Sequence, residues 1–361
     1  MSPKPLRATS DLPGTGGFLS PDPEDFRVEE RLPYEATGAG SHLFVRFEKV
    51  DLTSWAAVRA LCDHWNVPEG PESAGLAGLK DRAAVAIQWA SLPWPESRPA
   101  PQTPASVPVT GGPGRIQVWQ ARRHPHKLRT GHVANNRFRI RIRGVYPGHL
   151  GQLEPLVRRL REVGMPNRFG PQRFGRHGDN PEEARRILRG DRRVPRDRRK
   201  RRLLLSALQS ELFNDLLDRR LLEGTWQIPQ LGDLLVRHGR GALFHCADLE
   251  AERARAARLE VSPSGPLFGK KMRRPAGEPD RWEREVWRAC GLHDGAAARL
   301  GPGGRRALRV PVADLRTEAV DDGYVVQVSL PSGSYATVLL DELVKPAEGP
   351  FRRLEHAAGL A

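Results

Sequence analysis

The sequence predicts an α+β protein in which a mostly helical block interrupts a sheet-bearing domain. Three observations carry this. Strand-like alternation dominates up to about residue 143, helical periodicity dominates from about 150 to 290, and alternation resumes only near 311–330. Sheet, helices and sheet again is the pattern of an inserted domain. We place a discontinuous domain at 1–161 and 310–361, and the insertion at 162–309.

Residues 42–50, HLFVRFEKV, alternate as a strand. TSWAAVRALCDHW follows, with Trp55, Val58, Leu61, Cys62 and Trp65 on one helical face and Thr53 or Ser54 as N-cap. Alternation returns at 84–90, 115–120 and 137–143. In the last of these, Phe138, Ile140 and Ile142 point one way and the arginines the other. Residues 93–114, rich in Pro, Ser and Gly, read as a long loop. A helix near 150–163 stops at Gly164, and a shorter one opens at Asn180-Pro181 and closes at Gly190. The basic run RRVPRDRRKRR, 192–202, leads into an amphipathic helix over 203–222. Another helix covers 281–290 with Trp282, Val286 and Trp287 on one side, and a last one covers 336–345.

The 361 residues suggest about two domains. Their 39% hydrophobic content is enough for real cores. The net charge of +15 points to a polyanionic partner, and lysines are few beside the arginines. Arginine pairs with phosphate and stacks on bases, which suits RNA. The block 162–309 holds 32 basic and 20 acidic residues, a net +12, so it is the expected electrostatic clamp. Three widely spaced cysteines, with no C-x-x-C, argue against a disulfide framework or zinc site. The N-terminus lacks an apolar signal core, and no run approaches a membrane span, so a cytoplasmic protein is expected.

Asp81, in AGLKDRAAVAIQ, stands between Lys80 and Arg82 at the entrance to a strand. Two readings stand: a turn-stabilising carboxylate, or one kept ionised as nucleophile or base. If the segment is extended, Lys80 and Arg82 face away from Asp81, and its cation comes from elsewhere. Phe26, Phe138 and Tyr335 are candidates for stacking on an extruded base, with core packing as the alternative. His124 and His126 lack partners at ligand spacing, so no metal site is assigned. GTGGF, 14–18, has the wrong spacing for a dinucleotide loop, and no P-loop or G-x-S-x-G elbow occurs.

Six ordered segments resemble the TruD family of tRNA pseudouridine synthases. They are GTGGFLSPDPEDFRVEE (14–30), AGLKDRAAVAIQ (77–88), HPHKLRTGHVANNRF (124–138), PNRFGPQRFGRHGDN (166–180), RRKRRLLLSALQSELFN (198–214) and LPSGSYATVLLDEL (330–343). The resemblance implies a pseudouridine synthase fold, a mixed or antiparallel sheet flanked by helices, with an inserted, mostly helical α/β TRUD domain. It implies isomerisation of the uridine at position 13, in the D arm of tRNA, with no cofactor and no metal. Carried over, Asp81 matches the catalytic aspartate, while Phe26, Asn136, Phe138 and Tyr335 match residues lining the uracil site. Lys80, Arg82 and Arg173 are candidate RNA or charge partners. tRNA is the expected partner, and a monomer the default state.

Four positions depart from the family pattern. The family lysine before PEDF, which would pair with the catalytic aspartate, is Ser20 here. Ala83 stands for a common histidine, Ala86 for a threonine, and Asn135 for a glycine. Ser20 and Ala86 keep an alternative open: a non-catalytic RNA-binding or RNA-folding protein on the synthase scaffold.

Overall fold

In the computed structural model, which describes residues 5–354 apart from 111, 176, 240 and 348, the chain packs as two units. One comprises Gly17–Leu150, Asp314–Gly333 and residues 353–354. The other comprises residues 5–16, Gly151–Ala313 and Ser334–Arg352. The second unit therefore holds the whole 162–309 block, together with segments from both ends of the chain.

The first unit is built on one mixed sheet. Its strands run in the order Arg316–Val320, Gly323–Pro331, Asn135–Arg143, Phe26–Arg31, Val85–Pro93, His42–Val50, Arg115–His124 and Ala105–Val107. Neighbours are antiparallel except Phe26–Arg31 and Val85–Pro93, which are parallel. The Arg115–His124 strand is longer than its apolar alternation indicates. Ala105–Val107 pairs with it inside what the sequence presents as a loop. Helix Ser54–His64 starts as expected, with the Thr53 side chain accepting from the Ala56 N–H. It buries Ala57, Val58, Leu61 and Cys62 against Leu43, Val45, Phe47, Ala90 and Leu92. Trp55, which periodicity puts on that face, is instead exposed.

The second unit carries a feature the periodicity does not show. Strands Leu243–His245, Leu234–Arg237, Val261–Leu267 and Gly304–Ala307 form a four-stranded sheet within the block. Val261–Leu267 reads VSPSGPL, and its two prolines and glycine mask it, because proline cannot donate to a ladder. Helix Arg198–Leu222 begins five residues before the expected start and takes in the end of the basic run. Its apolar side packs with Ile187, Leu188, Phe268, Trp282, Val286 and Trp287. At its far end, Arg220 and Asp233 form an ion pair buried on both sides, at 2.7 Å.

Candidate active site

Strand pairing gathers one end of the candidate site. Because Phe26–Arg31 and Val85–Pro93 run parallel, both are entered from the same edge of the sheet. The loop before each strand, Ser20–Asp25 on one side and Gly78–Ala84 on the other, therefore meets at that edge. Asp81 lies in the second loop and is exposed. The segment is a loop rather than strand, so the expected alternation of Lys80, Asp81 and Arg82 does not apply.

The sheet face beside these loops follows from register. Phe26, Val28 and Glu30 stand opposite Ile140, Phe138 and Asn136, Val28 opposite Ala86, and Ala86 opposite Lys49. Directly paired residues share a face, so all of these side chains project to one side. Phe26 and Phe138 are buried and meet edge to face, with ring centroids 5.8 Å apart. Asn136 lies one alternation further along, and its buried Oδ1 has no hydrogen-bond partner among the described residues. The sequence-derived Phe26, Asn136 and Phe138 thus come together on one surface.

Four side chains anchor the Asp81 loop. Lys49 is fully buried, and its Nζ donates to the Asp81 carbonyl at 2.5 Å and to the Ala84 carbonyl at 3.5 Å. Lys80 pairs with Glu30, whose other oxygen accepts from the Trp89 N–H at 3.0 Å. Ser54 Oγ accepts from the Lys80 N–H at 2.9 Å, which ties the loop to the helix start. Arg353 donates to the Ala83 carbonyl from one terminal nitrogen. Arg82 turns outward to Asp51 at 2.9 Å. Both sequence neighbours of Asp81 thus engage other carboxylates. Among the described residues the Asp81 carboxylate itself makes no hydrogen bond or ion pair. Burial lowers the Lys49 pKa to about 8, and Asp81 is the largest influence opposing that fall.

Lys49 and Arg353 are the functional candidates that sequence reading passed over. Lys49 had a signal: it shares the parity of Leu43, Val45 and Phe47, so a lysine sits in an apolar stripe. Arg353 had none, since 270 positions separate it from Ala83.

Tyr335 and Arg173 belong to the other unit. Tyr335 is half-buried and packs on Phe169, with centroids 6.0 Å apart. The Arg173 guanidinium lies 5.8 Å from the same ring, and its Nε donates to Ser210 Oγ at 3.2 Å. Asn214 fixes the Phe169 backbone, its Oδ1 accepting from the N–H at 2.9 Å and its Nδ2 donating to the carbonyl at 3.1 Å. The Arg306 guanidinium sits 4.1 Å over the Phe169 ring, and its Nε donates to the Asn167 carbonyl at 2.9 Å. So PNRFG, QRFG and the SELFN stretch in the middle of the long helix interlock around one phenylalanine.

Of the HPHK histidines, His126 is exposed and His124 plays a packing part. His124 is buried between Tyr34, stacked at 5.5 Å, and Phe44, tilted at 4.3 Å. Among the described residues no three His, Cys, Asp or Glu side chains group as a metal site, and no helix is long and apolar enough to cross a membrane.

A family model described as tRNA pseudouridine synthase D (TruD) matches residues 7–194 and 193–343. The chain belongs to the TruD family. This places it among the tRNA pseudouridine synthases, which are isomerases. A tRNA pseudouridine synthase D from Anaeromyxobacter sp. (strain Fw109-5) is 43% identical over 353 residues, covering 96% of this chain and 97% of the relative. Another from Thermus thermophilus is 39% identical, covering 93% and 91%. The crystal structure of a putative TruD from Methanosarcina mazei superposes with a TM-score of 0.72 over 94% of this chain and 95% of that one. At 20% identity that likeness speaks for the fold, and it agrees with the α+β pseudouridine synthase architecture expected from the sequence.

Proposed function

We propose that this TruD-family chain isomerises the uridine at position 13 in the D arm of tRNA to pseudouridine, with Asp81 as the catalytic aspartate and without a cofactor. The observation that carries this reading is the seating of Asp81. Its loop backbone is held by buried Lys49 and by Arg353, at the edge of a face bearing Phe26, Phe138 and Asn136.

The reaction conserves composition. The C1′–N1 glycosidic bond breaks, a C1′–C5 bond forms, and the hydrogen lost from C5 is balanced by one gained at N1. An anionic carboxylate serves such chemistry as nucleophile or as base. The target base must leave its stack, at a cost of a few kcal/mol. The Phe26–Phe138 pair offers an apolar wall, and the unpartnered Asn136 Oδ1 offers an acceptor to an imide N–H. Both recover part of that cost.

The 162–309 block is the RNA clamp in this reading, with Arg173 as one contact. Arg198, Arg199, Lys200 and Arg202 are exposed in the first turns of the long helix. Cations there oppose the helix dipole, so they weaken the helix locally and are balanced when phosphates bind. A monomer acting in the cytoplasm is the working state.

The test uses tRNA labelled at uridine, incubated with wild type and with Asp81→Ala, followed by chemical mapping of pseudouridine. Product from the wild type alone, at position 13, is expected. Equal product from both would remove Asp81 from its role. Tight tRNA binding with no product from either would favour a non-catalytic RNA-binding protein.

A further inference from the structure

The Asp81 loop and the loop before Phe26 are joined by a residue from the far end of the chain. Arg353 follows the last helix, Ala336–Val344, and its guanidinium reaches three carbonyl groups. Its Nε donates to Ser20 O at 2.8 Å, one terminal nitrogen to Asp22 O at 2.5 Å, and the other to Ala83 O. By the resemblance described above, Ser20 stands where the family pattern has a lysine. Its own hydroxyl is turned to the Asp22 N–H at 2.9 Å. The cation missing from residue 20 is thus replaced in space by one held on that residue's backbone.

The charge of Arg353, clipped two residues from Asp81 at the Ala83 carbonyl, is also within electrostatic reach of that carboxylate. Burial lowers its pKa, and Asp81, ahead of Asp25 and Asp22, acts against that loss of charge. The competing groups are otherwise occupied. Asp25 is bonded to Arg143 at 2.6 Å, Lys80 to Glu30, and Arg82 to Asp51. Lys49 also feels Asp81, but it reaches the loop from within the sheet and its single ammonium donates to the Asp81 and Ala84 carbonyls. The Arg353 guanidinium lies 5.9 Å from the Phe26 centroid, so it links the Asp81 loop to the aromatic wall. A planar fork with five donors can clip two loops and still present positive charge to a nearby carboxylate, which a lysine ammonium does with fewer bonds.

We infer that Arg353 is the positioning cation of Asp81 in this chain, taking from the C-terminal segment the role that the lysine before PEDF has in the family pattern. The inference rests on the reading of Asp81 as the catalytic aspartate.

Single-turnover rates and tRNA affinity would be measured for wild type, Arg353→Gln, Arg353→Lys, Ser20→Lys and the double variant Arg353→Gln/Ser20→Lys, with thermal melting of each. We expect Arg353→Gln to lose at least about ten-fold in rate with tRNA affinity unchanged, as when an interaction felt in the transition state is removed. Arg353→Lys should keep part of the rate, and Ser20→Lys should restore most of what Arg353→Gln loses. A rate loss that follows melting temperature, or that Ser20→Lys leaves unrepaired, would overturn the inference and leave Arg353 a loop clip. If Arg353→Gln does not fold, the double variant decides: recovered folding without recovered rate would overturn it as well. A wild type without product, or product from Asp81→Ala, would instead overturn the reading of Asp81, and this inference with it.

Discussion

Lys49 donates from inside the sheet to the backbone carbonyl of Asp81, 2.5 Å away, and has no exposed surface of its own. Its pKa in the folded protein is about 8, below the ordinary 10.5. Between these values the unfolded chain holds a proton that the folded protein has released. Folding stability therefore rises with pH across that window. Lys49→Met should remove this component, on the order of 3 kcal/mol between pH 8 and pH 10.5. Urea titrations of both proteins at several pH values would show it. Parallel pH profiles would contradict it.

Asn136 offers a separation of stability from activity. Its Oδ1 is buried without a partner, so its removal relieves an unmet acceptor. Asn136→Ala should melt no lower than wild type, yet lose roughly 1–3 kcal/mol of transition-state binding, about five- to 150-fold in kcat/KM. A fall in melting temperature with unchanged kcat/KM would mean that Asn136 serves the sheet alone.

The basic turn of the long helix should appear in salt dependence. Replacing Arg198, Arg199, Lys200 and Arg202 with Gln removes four cations from exposed positions at or near the helix start. The slope of log K for tRNA against log salt should become shallower by up to about 0.9 for every phosphate that the variant no longer neutralises. Melting temperature should hold or rise, since a dipole conflict is removed. An unchanged slope would place the RNA elsewhere.

Arg220 and Asp233 are each 1% exposed and joined through both terminal guanidinium nitrogens, at 2.7 and 3.0 Å. Asp233→Asn leaves a buried guanidinium without its counter-charge. It should cost about 3–5 kcal/mol in chemical denaturation. A loss below about 1 kcal/mol would mean that solvent reaches the pair after relaxation.

Local periodicity is legible where one apolar face is buried. Strand His42–Val50 and the closing of helix Asn180–Arg189 by Gly190 are found where the sequence puts them. The start of Arg198–Leu222 is not, because periodicity marks only the buried stretch and its first residues are solvated. Val261–Leu267 is buried throughout its first six residues, so it shows no alternation, and its prolines argue against a strand. In the candidate site, Phe26, Asn136 and Phe138 are reachable through motif and alternation. Lys49 is visible as a charge in an apolar stripe. Arg353 is not visible, because nothing local distinguishes it from other arginines and only tertiary folding brings it to Ala83.

Strand Asn135–Arg143 bonds on one side to Phe26–Arg31 and on the other to Gly323–Pro331. A ribosome therefore releases Asn136 and Phe138 long before it has made the segment that closes their second flank. Until residue 331 emerges, the nascent chain carries an open ladder of N–H and C=O groups with apolar residues on one side. Chains stalled or cut short before that point should be the ones that associate and require chaperones.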